Sequence, residues 1–205
     1  MSLLDDYFYY LKTGFTDHKI LLLAVIIFAV LTCVVSFALY DEPYDYAYDN
    51  DAYLAQETFY SWDTAWEIIS NNCGLNLMMY VLSIFLGAGG IYDIVVNMGM
   101  TGYVSAATNM VTGDPFLFIK LTLVHGLPED ISTILNTFAG FLLAYFEIFF
   151  LKDAISKGIT ESYNINRKFL FQSIAVFIFA MYIMVIAGLL EEFISIPIGN
   201  VIAGF

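Results

Sequence analysis

The residues best suited to chemistry are a few polar groups set in or beside long apolar runs. His125, Glu129 and Asp130 fall in the run His-Gly-Leu-Pro-Glu-Asp at 125–130. Glu191 and Glu192 close a later apolar run, and Asn71, Asn72 and Asn76 open an earlier one. Carboxylates beside a histidine can share protons, and an imidazole with oxygen donors can ligate a cation. Asn72, Asn76, His125, Glu129, Asp130 and Glu191 are therefore the expected polar, ligand- or proton-binding cluster, with His125, Glu129 and Glu191 as candidate metal ligands. No cofactor is specified; a bound cation is what such a donor set would take. Each group also has a structural use. Acids in a helix's first turn meet the favourable end of its dipole, and Glu192 is expected simply to mark a water boundary. Glu147 is expected to snorkel. No serine or cysteine nucleophile with its base is recognisable, which leans against an enzyme.

The elements that must position these groups are membrane helices. The chain has 205 residues, 60% hydrophobic and only 13% charged, with mean hydropathy +0.76, too little charge to wet a soluble domain. Residues 20–40, 71–92 and 169–190 form uncharged or nearly uncharged apolar runs. A helix rises about 1.5 Å per residue, so about 20 residues cross a hydrocarbon core of about 30 Å. The expected fold class is an all-α polytopic membrane protein of about five transmembrane helices, forming one transmembrane domain over 1–205. The first span is residues 20–40, uncleaved, since it is longer than a signal sequence and is preceded by a polar lead. The second is 72–97. The third, 101–124, is broken near Asp114-Pro115. A fourth starts at Pro128, proline suiting a first helical position, and runs to 151. The fifth is 169–190. Residues 193–205 are too short to cross and either re-enter or lie along the interface.

Between these spans lie an aromatic lead at 1–19, an acidic loop at 41–70 and a polar loop at 152–168. Every Lys and Arg except Lys120 falls on one side of this arrangement, which the positive-inside rule makes cytoplasmic. The N-terminus is then cytoplasmic, the acidic loop is outside, and the C-terminus is outside or re-entrant. The polar cluster falls in the outer half of the membrane. The Asp- and Tyr-rich stretch after residue 41 lacks the form of a calcium-binding loop. The net charge of −13 excludes nucleic acid as a partner. Cys33 and Cys73 show no metal or redox spacing. Gly87, Gly90, Gly99, Gly102 and Gly126 are expected at close helix contacts, where small residues let backbones approach. Such faces would also suit a homodimer.

Three pieces in order resemble the stage II sporulation protein M family. They are Asn71-Asn72…Asn76 with Gly87, Gly90 and Asn97…Gly99…Gly102; His125-Gly126-x-x-Glu129 followed by Ala139-Gly140; and Gly188-Leu189-Leu190-Glu191-x-Phe193-Ile194. The family pattern has proline immediately before the histidine, where this chain has Val124. The resemblance implies a five-span membrane protein. The family's namesake acts as a scaffold for cell-wall-remodelling hydrolases, so the resemblance implies membrane or extracytoplasmic protein partners and a scaffold or coupling role. An ion- or proton-coupled transporter or channel using the same cluster is the alternative, and a membrane-embedded metal enzyme the third reading.

Overall fold

The computed structural model describes residues 2–40, 61–114 and 116–195. Among these residues it is all helical, with six α-helices. They are α1 Leu3–Asp17, α2 Lys19–Ala38, α3 Trp62–Leu82, α4 Ala88–Thr112, α5 Leu117–Lys157 and α6 Ile159–Leu190, the last closed by a π-helical turn, Glu191–Ser195. Three segments are long and apolar enough to cross a membrane: Lys19–Ala38, Thr122–Lys157 and Ile159–Ser195.

α1 starts with a capping box. The Ser2 hydroxyl accepts from the Asp5 N–H (3.2 Å) while the Asp5 carboxylate accepts from the Ser2 N–H (3.0 Å), which satisfies two donors that a helix start leaves open. This helix packs its C-terminal half on α6. Tyr10 meets Phe171, Gln172 donates to Thr13 (3.1 Å), and Lys168 pairs with Asp17 (2.7 Å). A hydrogen bond from Lys168 holds the Asp17 carboxyl below its ordinary range.

From α2 to α6 the helices alternate in direction. α3 and α4 form a hairpin that brings Asn76 and Asn97 to one cavity. α3 runs parallel to α5, through Asn72 on Glu129 and Asn76 on Ser132. α5 and α6 are antiparallel, joined by Ser132 to the Ala180 carbonyl and Ser173 to the Ala139 carbonyl. The core lies where these meet α2 and includes Val25, Ala29, Ile94, Phe138, Leu142 and Val176. The far side of α2 exposes Leu23, Ile27, Val30, Leu31 and Val34, the surface expected of a lipid-facing helix.

The helix boundaries correct four sequence expectations. The expected second span, 72–97, is two helices with a turn at 83–87. Leu86 (φ 55°) and Gly87 (φ 81°) both adopt left-handed backbone, and the Glu147 carboxylate receives the Leu86 N–H at 3.2 Å. That contact gives Glu147 a partner in the turn rather than a purely snorkelling position. The stretch 101–124 is likewise shared by two helices. α4 ends at Gly113 (φ 71°), whose N–H caps the Asn109 carbonyl at 2.8 Å, the glycine stop common at helix ends.

α5 does not begin at Pro128 but runs through it. Proline removes one backbone bond, and neighbouring helices make that tolerable in a membrane bundle. Finally, the expected polar loop at 152–168 shrinks to Gly158 (φ 87°, ψ 161°), with α5 and α6 extending to either side of it. Residues 41–60 of the acidic loop and 196–205 of the C-terminal tail lie outside the described residues.

Candidate functional site

A cavity of about 220 Å³ opens between α3, α4 and α5. Asn72 and Asn76 of α3, Asn97 and Thr101 of α4, and Glu129, Asp130 and Thr133 of α5 supply its polar lining. Four of the residues singled out from the sequence, Asn72, Asn76, Glu129 and Asp130, thus face one space. The parallel register of α3 and α5 accounts for this, because it sets the Asn72 turn beside the Glu129 turn. Asn72 Nδ2 donates to Glu129 Oε1 at 2.8 Å. Asp130 and Glu191 are the charged neighbours whose fields reach Glu129.

His125 stands apart. It is half-buried, its Nδ1 has no hydrogen-bond partner among the described residues, and it does not line the cavity. Among the described residues no three His, Cys, Asp or Glu side chains gather as a metal site would require. The candidate trio His125, Glu129 and Glu191 therefore does not converge, because Glu129 turns to Asn72 instead. Cys33 and Cys73 are free. Glu192 is 2% exposed, not at a water boundary as expected. Its Oε1 accepts the Ser61 N–H at 2.9 Å, so the end of α6 holds the start of α3 while the Ser61 hydroxyl caps Thr64 (3.0 Å). Lys120 pairs with Asp114 at 2.7 Å.

Beneath the cavity runs a buried polar seam that sequence reasoning missed. Asp93 (α4) is 1% exposed. Its Oδ1 accepts from Asn97 Nδ2 at 2.6 Å and its Oδ2 from Asn136 Nδ2 at 2.8 Å. Asn136 also donates to the Asn76 carbonyl (3.1 Å), and Asn76 Nδ2 to Ser132 Oγ (3.0 Å). Two signals in the sequence could have found it. Asp93 is the lone charged residue between 68 and 113, and an ionisable group inside an apolar run is a functional candidate by default. Ser132 and Asn136 are four apart, which puts polar groups on one face of an otherwise apolar helix.

Glycines set how closely the seam's helices approach. A Cβ on Gly90 would lie 3.1 Å from Thr137 Cα, and the Gly90 carbonyl accepts from Thr137 Oγ1 at 3.0 Å. One on Gly102 would strike the Cys33 carbonyl, while Gly99 faces Ser36 at 3.4 Å. Gly87 occupies the α3–α4 turn, and Gly126 meets only Thr122 of its own helix.

A helical bundle with apolar helices of membrane-crossing length around a buried polar centre defines this chain as an integral membrane protein. The family model for Stage II sporulation protein M matches residues 20–196. The chain belongs to that family. No curated protein and no solved structure matches it.

Proposed function

We propose that the chain is a non-enzymatic scaffold or coupling component of the cell membrane, crossing it about five times. The N-terminus would be cytoplasmic and the polar cavity in the outer half of the bilayer. The alternating directions of α2 to α6 support the crossing count. The gathering of Lys19, Lys152, Lys157, Arg167 and Lys168 at one end of those helices supports the orientation.

The observation that carries the reading is that the cavity is backed by close packing. Phe138 and Leu142, which follow Asn136 along α5, pack with Val176 and Ile94 in one core, all fully buried. The hydroxyls there are already engaged, Thr137 on the Gly90 carbonyl and Ser173 on the Ala139 carbonyl. Close packing behind a recess suits a component that binds and couples better than one that conducts. Family membership points the same way. Gentle solubilisation followed by pull-down should recover a stoichiometric membrane or extracytoplasmic protein partner. Recovery of the chain alone, or as a homodimer alone, at every expression level would reject the reading.

The cavity itself favours a second reading, an ion- or proton-coupled transporter, because Glu129 and Asp130 line it together. Flux into liposomes that disappears in Glu129→Gln and Glu191→Gln would establish that reading. An unchanged leak for every ion tried would dismiss it.

A further inference from the structure

Asp93 is a buried carboxylate that takes part in no ion pair among the described residues. Two amide donors hold its oxygens, and the ion pairs of Lys120, Lys157 and Lys168 all lie elsewhere. Amide dipoles disperse a negative charge without cancelling it, and an uncompensated ion in a membrane interior is costly. A second observation at the same place points to a ligand. Asn136, itself 1% exposed, directs Nδ2 at Asp93 and leaves its Oδ1 buried without a hydrogen-bond partner among the described residues. Buried amide oxygens nearly always find a donor or a cation. One carboxylate and one orphan amide oxygen therefore belong to two buried side chains in direct contact, and a cation would satisfy both.

The chemistry of the surroundings narrows the ligand. The groups about Asp93 are oxygen-bearing and, apart from Asp93, neutral: Asn97, Asn136 and the Asn76 carbonyl. Hard cations take oxygen ligands, and one fixed negative charge balances one positive charge. Of the two carboxylates that line the cavity, Glu129 and Asp130, neither bonds to the seam, and Glu129 is engaged by Asn72. Asn97 and Asn76 both line the cavity and both belong to the seam, so the cavity reaches the edge of the site.

We propose that Asp93, Asn97 and Asn136 form a binding site for a monovalent alkali cation, entered from the cavity between α3, α4 and α5. The site does not depend on the scaffold reading, because a chain without partners would bind the ion equally well.

The test uses the purified full-length chain in mild detergent, with Na⁺ or K⁺ replacing choline at constant ionic strength. The wild type should show a saturable rise in unfolding temperature with one of the alkali ions, and near-stoichiometric binding of the radioactive ion. Asp93→Asn should abolish both, unfolding at the same temperature in Na⁺, K⁺ and choline. Equal unfolding temperatures of the wild type in Na⁺, K⁺ and choline would overturn the proposal. So would an Asp93→Asn variant that keeps the rise. A wild type that responds only to pH would overturn it too, assigning the neutralising charge to a proton. If Asp93→Asn does not fold, Asn97→Ala serves, because Asn97 lies on the exposed side of α4. Its half-saturating ion concentration should rise by about 10-fold or more, the scale of losing a group that orients a ligand; an unchanged value refutes the site.

Discussion

Replacing Asn136 by leucine tests the seam most directly, because the two side chains have similar shape and only the amide is lost. Two hydrogen bonds disappear, one to Asp93 Oδ2 (2.8 Å) and one to the Asn76 carbonyl (3.1 Å). Neutral interhelical bonds in membranes average about 0.6 kcal/mol and reach about 1.7. Bonds to charged groups are worth about 1.5–3 kcal/mol. Loss of the orphan Oδ1 returns part of that. The net expectation is destabilisation by about 2 kcal/mol, roughly a 30-fold fall in the folded-to-unfolded ratio. The free thiols of Cys33 and Cys73 are partly buried, so a thiol-reactive fluorophore can follow unfolding in detergent. The diagnostic is a double-mutant cycle with Asp93→Leu. Once the carboxylate is absent, Asn136→Leu should cost far less, giving a coupling of about 1–2 kcal/mol. Additivity within about 0.5 kcal/mol, or an Asn136→Leu variant as stable as wild type, would refute the claim that the pair holds α4 to α5.

Three further outcomes follow from the packing. Gly188→Val should destabilise the bundle by about 1–3 kcal/mol, because even a Cβ there lies 2.7 Å from Ile69 Cγ1; Gly74→Ala, with open space around it, should be neutral or slightly stabilising in the same thermal assay. Glu192→Ala strips the Ser61 N–H of its acceptor and should cost about 1–3 kcal/mol, whereas Glu192→Gln keeps an acceptor and should cost much less; equal losses would contradict the capping role. The Asp17 carboxyl is depressed in the folded chain by Lys168, so its contribution is present above the unfolded carboxylate value of about 3.9 and fades as pH falls through the lower folded value. Asp17→Asn should therefore slightly flatten the acid limb of a stability–pH curve and leave neutral pH nearly unchanged, since the pair is exposed.

Much of the candidate site was legible in the residues themselves. Asn72, Asn76, Glu129 and Asp130 were expected at one depth because each sits at the end of an apolar run, and they line one cavity. His125, close to Glu129 in the chain, does not line that cavity. Glu129 bonds to Asn72, a residue fifty-seven positions away along the chain. Asp93 falls inside the expected second span, 72–97, and not at the end of an apolar run, which is the position that singles out the other groups.

The sequence by itself determined that the chain is built of helices for a membrane, because length and hydropathy are properties of each segment alone. It also determined the family, through short polar motifs in a fixed order. Only the tertiary structure decided where those helices break and which polar groups pair. The turn at 83–87 forms where α4 must fold back on α3, with Leu86 and Gly87 in left-handed backbone and the Leu86 N–H received by Glu147 of α5. Asp93 meets Asn136 because Gly90 lets α4 approach Thr137. A helix's own periodicity records which of its faces is polar, but the partner for that face is set by the distance of approach between segments far apart in the chain.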